Sequence, residues 1–296
     1  MQAILPKAFC RSQRPRTPTG LAALLMLLAA LAAVPALARM RLTQVPAKPV
    51  AVDVELVLAV DISLSMDPEE QRLQREGYME ALVDPEIMKA IKAGQHGRIA
   101  VTYVEWAGPD IQIHLMPWRV IDGMASAQAF VEELREKPYS RFRRTSISAA
   151  LEYSARLFDE NSYQGSRRVI DVSGDGANNS GMPLGPVRER VLAAGIVING
   201  LPIVLRPTMG YSSWDLPNLD KYYAACVIGG PGSFMIPITK HEEFLTATRQ
   251  KLLLEISDLG TRPRVVPAQM VLPPPDLPGG EGQYDCTFLE RGIRRW

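Results

Sequence analysis

The chain has 296 residues, of which 47% are hydrophobic and 22% charged, enough for one large globular domain or two small ones. Lys and Arg number 33 against 32 Asp and Glu, a formal net charge of +1. Basic residues are dispersed apart from short pairs such as Arg143-Arg144 and Arg294-Arg295, so the charge pattern gives no case for nucleic-acid binding.

Residues 1–38 read as an export signal. Lys7, Arg11, Arg14 and Arg16 form a positive n-region, Leu21 to Val34 an apolar h-region, and Ala36-Leu37-Ala38 a small-x-small cleavage site. The apolar stretch falls short of the roughly 20 residues that span a bilayer, so cleavage is expected, with no integral membrane span left and a periplasmic or secreted product. Cys10 leaves with the signal. Cys226 and Cys286 then meet an oxidising compartment, where a disulfide tying the tail to the domain is expected; spacing does not fix connectivity, and two free thiols are the alternative. There is no C-x-x-C, and His96, His114 and His241 show no ligand spacing, so a zinc site is not indicated.

Residues 39–52, with Pro46 and Pro49, read as a linker. The nearly continuous apolar run Val54 to Val60 suits a central strand covered on both faces. Glu69 to Leu82 places Leu73, Tyr78, Met79 and Leu82 among charges, as an amphipathic helix does. Arg98 to Trp106 and Ile111 to Val120 flank the turn Gly108-Pro109-Asp110 and predict a hairpin. Ala127 to Glu136 and Ile147 to Phe158 predict helices, joined by a polar, basic loop over 139–144. Arg168 to Ser173 predicts a second buried strand, Pro186 to Ala194 a helix with Gly195 past its end, and Ile196 to Val204 a further strand. Residues 206–220 read as a loop, Phe234 to Ile238 as a short strand and His241 to Ser257 as a closing helix. From Gly260, Pro263, Pro267, Pro273, Pro274, Pro275 and Pro278 precede Gly279-Gly280, so 260–296 reads as an extended tail, with enough apolar residues from Tyr284 onward to dock. Alternating strands and helices predict an α/β domain over 53–259. It is doubly wound, Rossmann-type, with a mainly parallel central sheet, one antiparallel edge strand and helices on both faces.

Chemistry gathers where the strands end. Asp61, Ser63 and Ser65 follow the first strand at a spacing of two, so a tight loop can aim one carboxylate and two hydroxyls at a common point. Such hard oxygen donors suit Mg²⁺, or another small divalent cation such as Mn²⁺ or Ca²⁺. Ser65 or Asp67 can equally cap the next helix. Asp175, in Gly174-Asp175-Gly176-Ala177-Asn178-Asn179, stands at the end of another strand, and ligands of doubly wound sheets bind at such strand ends, where strand order reverses.

With Thr145 added, these residues resemble the von Willebrand factor type A domain, whose metal-ion-dependent adhesion site uses D-x-S-x-S, a distant Thr and a distant Asp. The resemblance covers residues 53–258 and implies a site of Asp61, Ser63, Ser65, Thr145 and Asp175. In that family the hydroxyls bind the ion, the carboxylates bind it directly or through water, and an acidic residue of a protein partner completes the shell. It thus implies a binding module rather than an enzyme. The family's threonine loop usually carries glycines where this chain has Arg143 and Arg144, which are expected to give the open side a positive potential that attracts the partner's acidic group. Tyr222 to Gly232 resembles an exported bacterial branch known only as a domain of unknown function.

Two other classes compete. A phosphohydrolase using Asp61 as nucleophile would want a second carboxylate two residues on, where Ser63 stands. A metal-free structural domain of the same fold is the other. No G-x-S-x-G elbow supports serine hydrolysis. Trp106, Trp118 and Trp214 read as core or rim, and Asn178 and Asn179 as turn formers.

Overall fold

A computed structural model describes residues 48–205, 218–257, 285–287 and 290. The chain divides into residues 1–48 and 49–296. The expected export signal, the loop at 206–217 and most of the 260–296 tail lie outside the described residues. Among the described residues no helix is long and apolar enough to cross a membrane.

A five-stranded sheet runs in the order β3-β2-β1-β4-β5. It comprises β1 (Val50–Asp61), β2 (Ile99–Trp106), β3 (Gln112–Ile121), β4 (Tyr163–Gly174) and β5 (Ile196–Pro202). All pairings are parallel except that of β2 with β3. β1 begins at Val50, three residues inside the expected linker, because Val50, Ala51 and Val52 pair with Tyr163, Gln164 and Gly165 of β4. The chain leaves β1 towards β2 and β3, then returns to β4 on the opposite side. Strand order therefore reverses between β1 and β4, which places a crevice at their carboxyl ends.

Successive β1 side chains serve opposite faces, as a pleated strand requires. Val54, Leu56, Leu58 and Val60 enter one core with α1 (Pro68–Leu82), α2 (Pro85–Ala93), α3 (Met124–Arg135) and α7 (Phe244–Ile256). Val57 and Ala59 enter the other with α4 (Ile147–Leu157), α5 (Leu184–Ala193) and the short α6 (Leu219–Tyr222), which continues into a π-turn over Tyr223–Val227. Asp67 caps α1, accepting from the amides of Glu69 and Glu70 at 2.8 and 2.9 Å, while Glu70 accepts from the Asp67 amide at 2.7 Å. The helix α2 was not expected from the sequence, yet it opens on Asp84-Pro85-Glu86, the same pattern as Asp67-Pro68-Glu69 that opens α1.

Phe234 to Ile238, expected as a strand, forms only isolated bridges, with Met235 on Gly200 and Ile238 on Ile203; Gly229 bridges Ile198 nearby. These bridges cover the outer side of β5. At the other edge, β3 contains Pro117, and its register against β2 shifts around Tyr103. Cys226, in the π-turn, is bonded to Cys286 with Cα atoms 5.6 Å apart, the pairing expected from the sequence.

The first core contains buried charge. Lys251 of α7 lies 2.5 Å from Asp171 of β4 and also contacts Glu255 one turn along its own helix. Tyr78 donates to Asp171 at 3.0 Å and Asn199 to Glu255 at 3.0 Å. One ammonium cannot neutralise two buried carboxylates. Burial first, then the charge of Asp171, raise the Glu255 carboxyl from 4.5 to about 7, with Lys251 pulling the other way. Because the folded value exceeds the unfolded one, this group's stabilisation is complete below the unfolded value and is lost as pH rises through the folded value. Glu255→Gln should therefore flatten the decline in unfolding free energy between about pH 4.5 and about pH 7, read by urea denaturation. Equal slopes in the two proteins would refute the assignment.

Candidate metal centre

Asp61 is the last residue of β1 and has 0% exposure. Its Oδ1 accepts from the Ser63 amide at 2.6 Å, which tightens the loop after the strand. Its Oδ2 reaches over Gly174, where a Cβ would stand 2.6 Å away, so only glycine at the end of β4 leaves room for this carboxylate. Oδ2 is buried without a hydrogen-bond partner. Burial first, and the charge of Asp175 second, raise the Asp61 carboxyl well above its usual range, while the Ser63 amide and hydroxyl and the Asp175 amide act in the opposite sense. Nearby, the buried Tyr223 hydroxyl is also unpartnered, and burial followed by the charge of Asp61 raises it.

Ser63 and Ser65 bring their hydroxyl oxygens within 2.8 Å, and Ser65 donates to Asp175 Oδ1 at 2.7 Å. Thr145 is buried beside the Asp175 loop, its Oγ1 3.4 Å from the position a Cβ on Gly176 would take. The Thr145 amide donates to Asn179 Oδ1 and its carbonyl accepts from the Asn179 amide, both at 2.9 Å. The structure thus brings Asp61, Ser63, Ser65 and Asp175 together and sets Thr145 against the same loop. Asn179, expected as a turn former, instead binds the threonine loop to the aspartate loop. Its neighbour Asn178 reaches the Ser148 amide at 3.1 Å. The sequence signal for both was polar amides just after a strand-end Asp, which reads equally well as a turn.

The basic loop is anchored from below. The Leu64 amide donates to the Phe142 carbonyl at 2.7 Å and the Phe142 amide to the Ile62 carbonyl at 3.0 Å. Arg141 donates to the carbonyls of Leu64, at 2.8 Å, and Met66. Gln71 of α1 holds the Ser140 carbonyl at 3.1 Å. Arg75 is buried against Glu105 of β2 at 2.5 Å, donates to the Lys137 and Pro138 carbonyls, and lies 3.8 Å over the Tyr139 ring. Arg143 and Arg144 remain exposed, and neither joins an ion pair among the described residues. Around the same loops Leu64 is 46% and Met182 56% exposed.

Among the described residues no group of three or more His, Cys, Asp or Glu is placed to hold a metal. The donors gathered here are Asp61 and Asp175 together with hydroxyls, a hard-oxygen set of the kind small divalent cations take. A cation beside Asp61 would also relieve the two features that disfavour its charge, an unpaired buried oxygen and a neighbouring carboxylate.

Arg144 occupies the left-handed region at φ 73°, the conformation for which glycine is suited and a side chain is strained. The Arg144→Gly variant should therefore unfold at higher denaturant, with a gain of roughly 1 kcal/mol, whereas Arg144→Val should lose stability. No gain with glycine would mean that the loop does not hold this backbone in solution.

The sequence profile of the family described as "Protein of unknown function (DUF1194)" matches residues 51–260. No curated protein matches the chain. Among solved structures, proximal thread matrix protein 1 from the mussel byssus is 14% identical over 71% of this chain and 50% of its own, with a TM-score of 0.50. It has also been solved with a zinc-occupied MIDAS motif. The pilus adhesin SpaC from Lactobacillus rhamnosus GG is 13% identical over 69% of this chain and 30% of its own, with a TM-score of 0.51. This chain spans about half the length of the mussel protein and under a third of the adhesin. Identities this low speak to the fold alone. That fold, a mainly parallel sheet with one antiparallel edge strand and helices on both faces, is the von Willebrand factor type A fold implied by the sequence resemblance. With a profile match over residues 51–260, the chain belongs to the DUF1194 family.

Proposed function

We propose that this domain is an exported binding module that takes a small divalent cation, Mg²⁺ foremost, at Asp61, Ser63, Ser65, Thr145 and Asp175, and through it an acidic group of a protein partner. The observation that carries the reading is the fully buried Asp61 carboxylate, with one oxygen unpaired, beside Asp175 and the serine hydroxyls at the point where strand order reverses. Two carboxylates balance a divalent charge, and a remaining open position on a hard cation favours an anionic oxygen. The exposed Arg143 and Arg144 border the same end, so the partner's carboxylate would meet a guanidinium for the oxygen the ion leaves free. Relatives in fold include a pilus adhesin and a byssal protein with an occupied motif, which agrees with a binding role. Export rests on residues 1–38, read as a cleaved signal.

A metal-free scaffold would be content with the Ser63, Ser65 and Asp175 hydrogen bonds but would leave Asp61 Oδ2 buried without a partner, at an expected penalty of about 1–3 kcal/mol. A phosphohydrolase lacks the general acid, since Ser63 occupies that position.

Calorimetric titration of chelator-treated protein with Mg²⁺ tests the reading. Wild type should take up the ion, and Asp61→Ala and Asp175→Ala should each abolish uptake with circular dichroism unchanged, because both side chains lie at strand ends outside the apolar core. Uptake at wild-type strength by either variant would remove that residue from the site. The double variant Arg143→Ala, Arg144→Ala should keep Mg²⁺ uptake but bind an acidic peptide probe more weakly at low salt, a difference that added salt erases. Unchanged peptide affinity would exclude the basic loop from recognition.

A further inference from the structure

Asn178, three residues after Asp175, is buried and uses its backbone amide and both side-chain polar atoms. Its amide donates to Tyr222 Oη at 3.2 Å, and its Oδ1 accepts from the Ser148 amide at 3.1 Å, in the first turn of α4 just beyond Thr145. Its Nδ2 donates to the Met182 carbonyl at 3.2 Å and to Glu290 Oε1 at 3.0 Å. The same Glu290 oxygen accepts at 2.7 Å from the amide of Leu184, the first residue of α5. Pro183 precedes Leu184 and offers no side-chain cap, so a residue 106 positions away in sequence satisfies an amide that the helix itself leaves open. Glu290 is 7% exposed. It follows Cys286 by four residues, and the disulfide joins Cys286 to the π-turn that begins immediately after Tyr222. Two of the groups that grip Asn178, Tyr222 and Glu290, therefore belong to one cross-linked unit.

We propose that Glu290 is a positioning residue: held by the Cys226–Cys286 bond, it sets Asn178 and thereby keeps the Thr145 and Asp175 loops in register. The effect on the loops stands on this geometry alone; a further effect on ion affinity rests on the metal-site reading above.

The experiment uses the full-length oxidised chain and two readouts, amide hydrogen exchange at Thr145 and Ser148 and calorimetric Mg²⁺ titration. Glu290→Ala should accelerate exchange at both amides by roughly tenfold and weaken Mg²⁺ about tenfold, in the range for losing an outer-shell partner of a metal site. Glu290→Gln retains the oxygen that accepts both bonds and should stay within about threefold of wild type on both readouts. Cys286→Ser keeps Glu290 but frees its segment, and should move both readouts in the direction of Glu290→Ala even if the alanine variant folds poorly. Unchanged exchange in Glu290→Ala and Cys286→Ser, or a glutamine variant no better than alanine, overturns the proposal. Accelerated exchange in a protein whose wild type takes up no Mg²⁺ would sink the metal-site reading and leave the positioning role standing.

Discussion

A carboxylate with no solvent exposure at the end of the central strand is the constraint on which this domain turns. Asp61 cannot be withdrawn into water, because β1 is covered on both faces and β4 closes over it. Every neighbouring choice follows. Gly174 has no side chain because the carboxylate occupies that space, Ser63 turns its amide back to one oxygen, and the serine hydroxyls lead to Asp175. In a low-dielectric setting such a group amplifies whatever approaches it, which is a reason to find it at a binding site and not in an inert core.

Charge is also buried on the other side of the sheet, under different terms. The Lys251, Asp171 and Glu255 cluster lies between α7 and β4 and has no open side, so a proton on Glu255 serves where a second cation is missing. Strand β4 thus carries Asp171 within the core and leads directly into Asp175 at its end. The first aspartate is matched by Lys251 in the core; the second is half-buried and accepts from the Ser65 hydroxyl.

What could be read from sequence was the part that local pattern determines. The apolar run of β1, the alternation of elements and the place of Asp61 and Asp175 at strand ends follow from residue type and order, and the antiparallel edge follows from Gly108-Pro109-Asp110 between two apolar stretches. The helix α2 is short and adjoins α1 with a single residue between Leu82 and its cap, so its Asp-Pro-Glu opening merged with the preceding pattern. Asn178, Asn179, Gln71 and Arg141 were opaque for another reason. Their partners lie 30 to 77 positions away, and an amide or guanidinium carries no mark of which distant carbonyl it will meet. Phe234 to Ile238 looked like a strand because its composition suits burial beside a sheet, and it obtains that burial with bridges in place of a ladder.

The treatment of the two sheet edges restricts how other chains can approach. Gly229, Phe234, Ile236 and Ile238 occupy backbone groups along β5, while β3 presents a proline and an irregular register. Along β5 an added strand would meet backbone groups that are already bonded, and β3 carries at Pro117 a residue with no amide donor. At the β5 edge, recruitment by strand addition and the runaway pairing that leads to fibres are both discouraged by this use of backbone groups. Contact between copies of this domain is thereby steered away from the β5 edge, whose backbone groups are already in use.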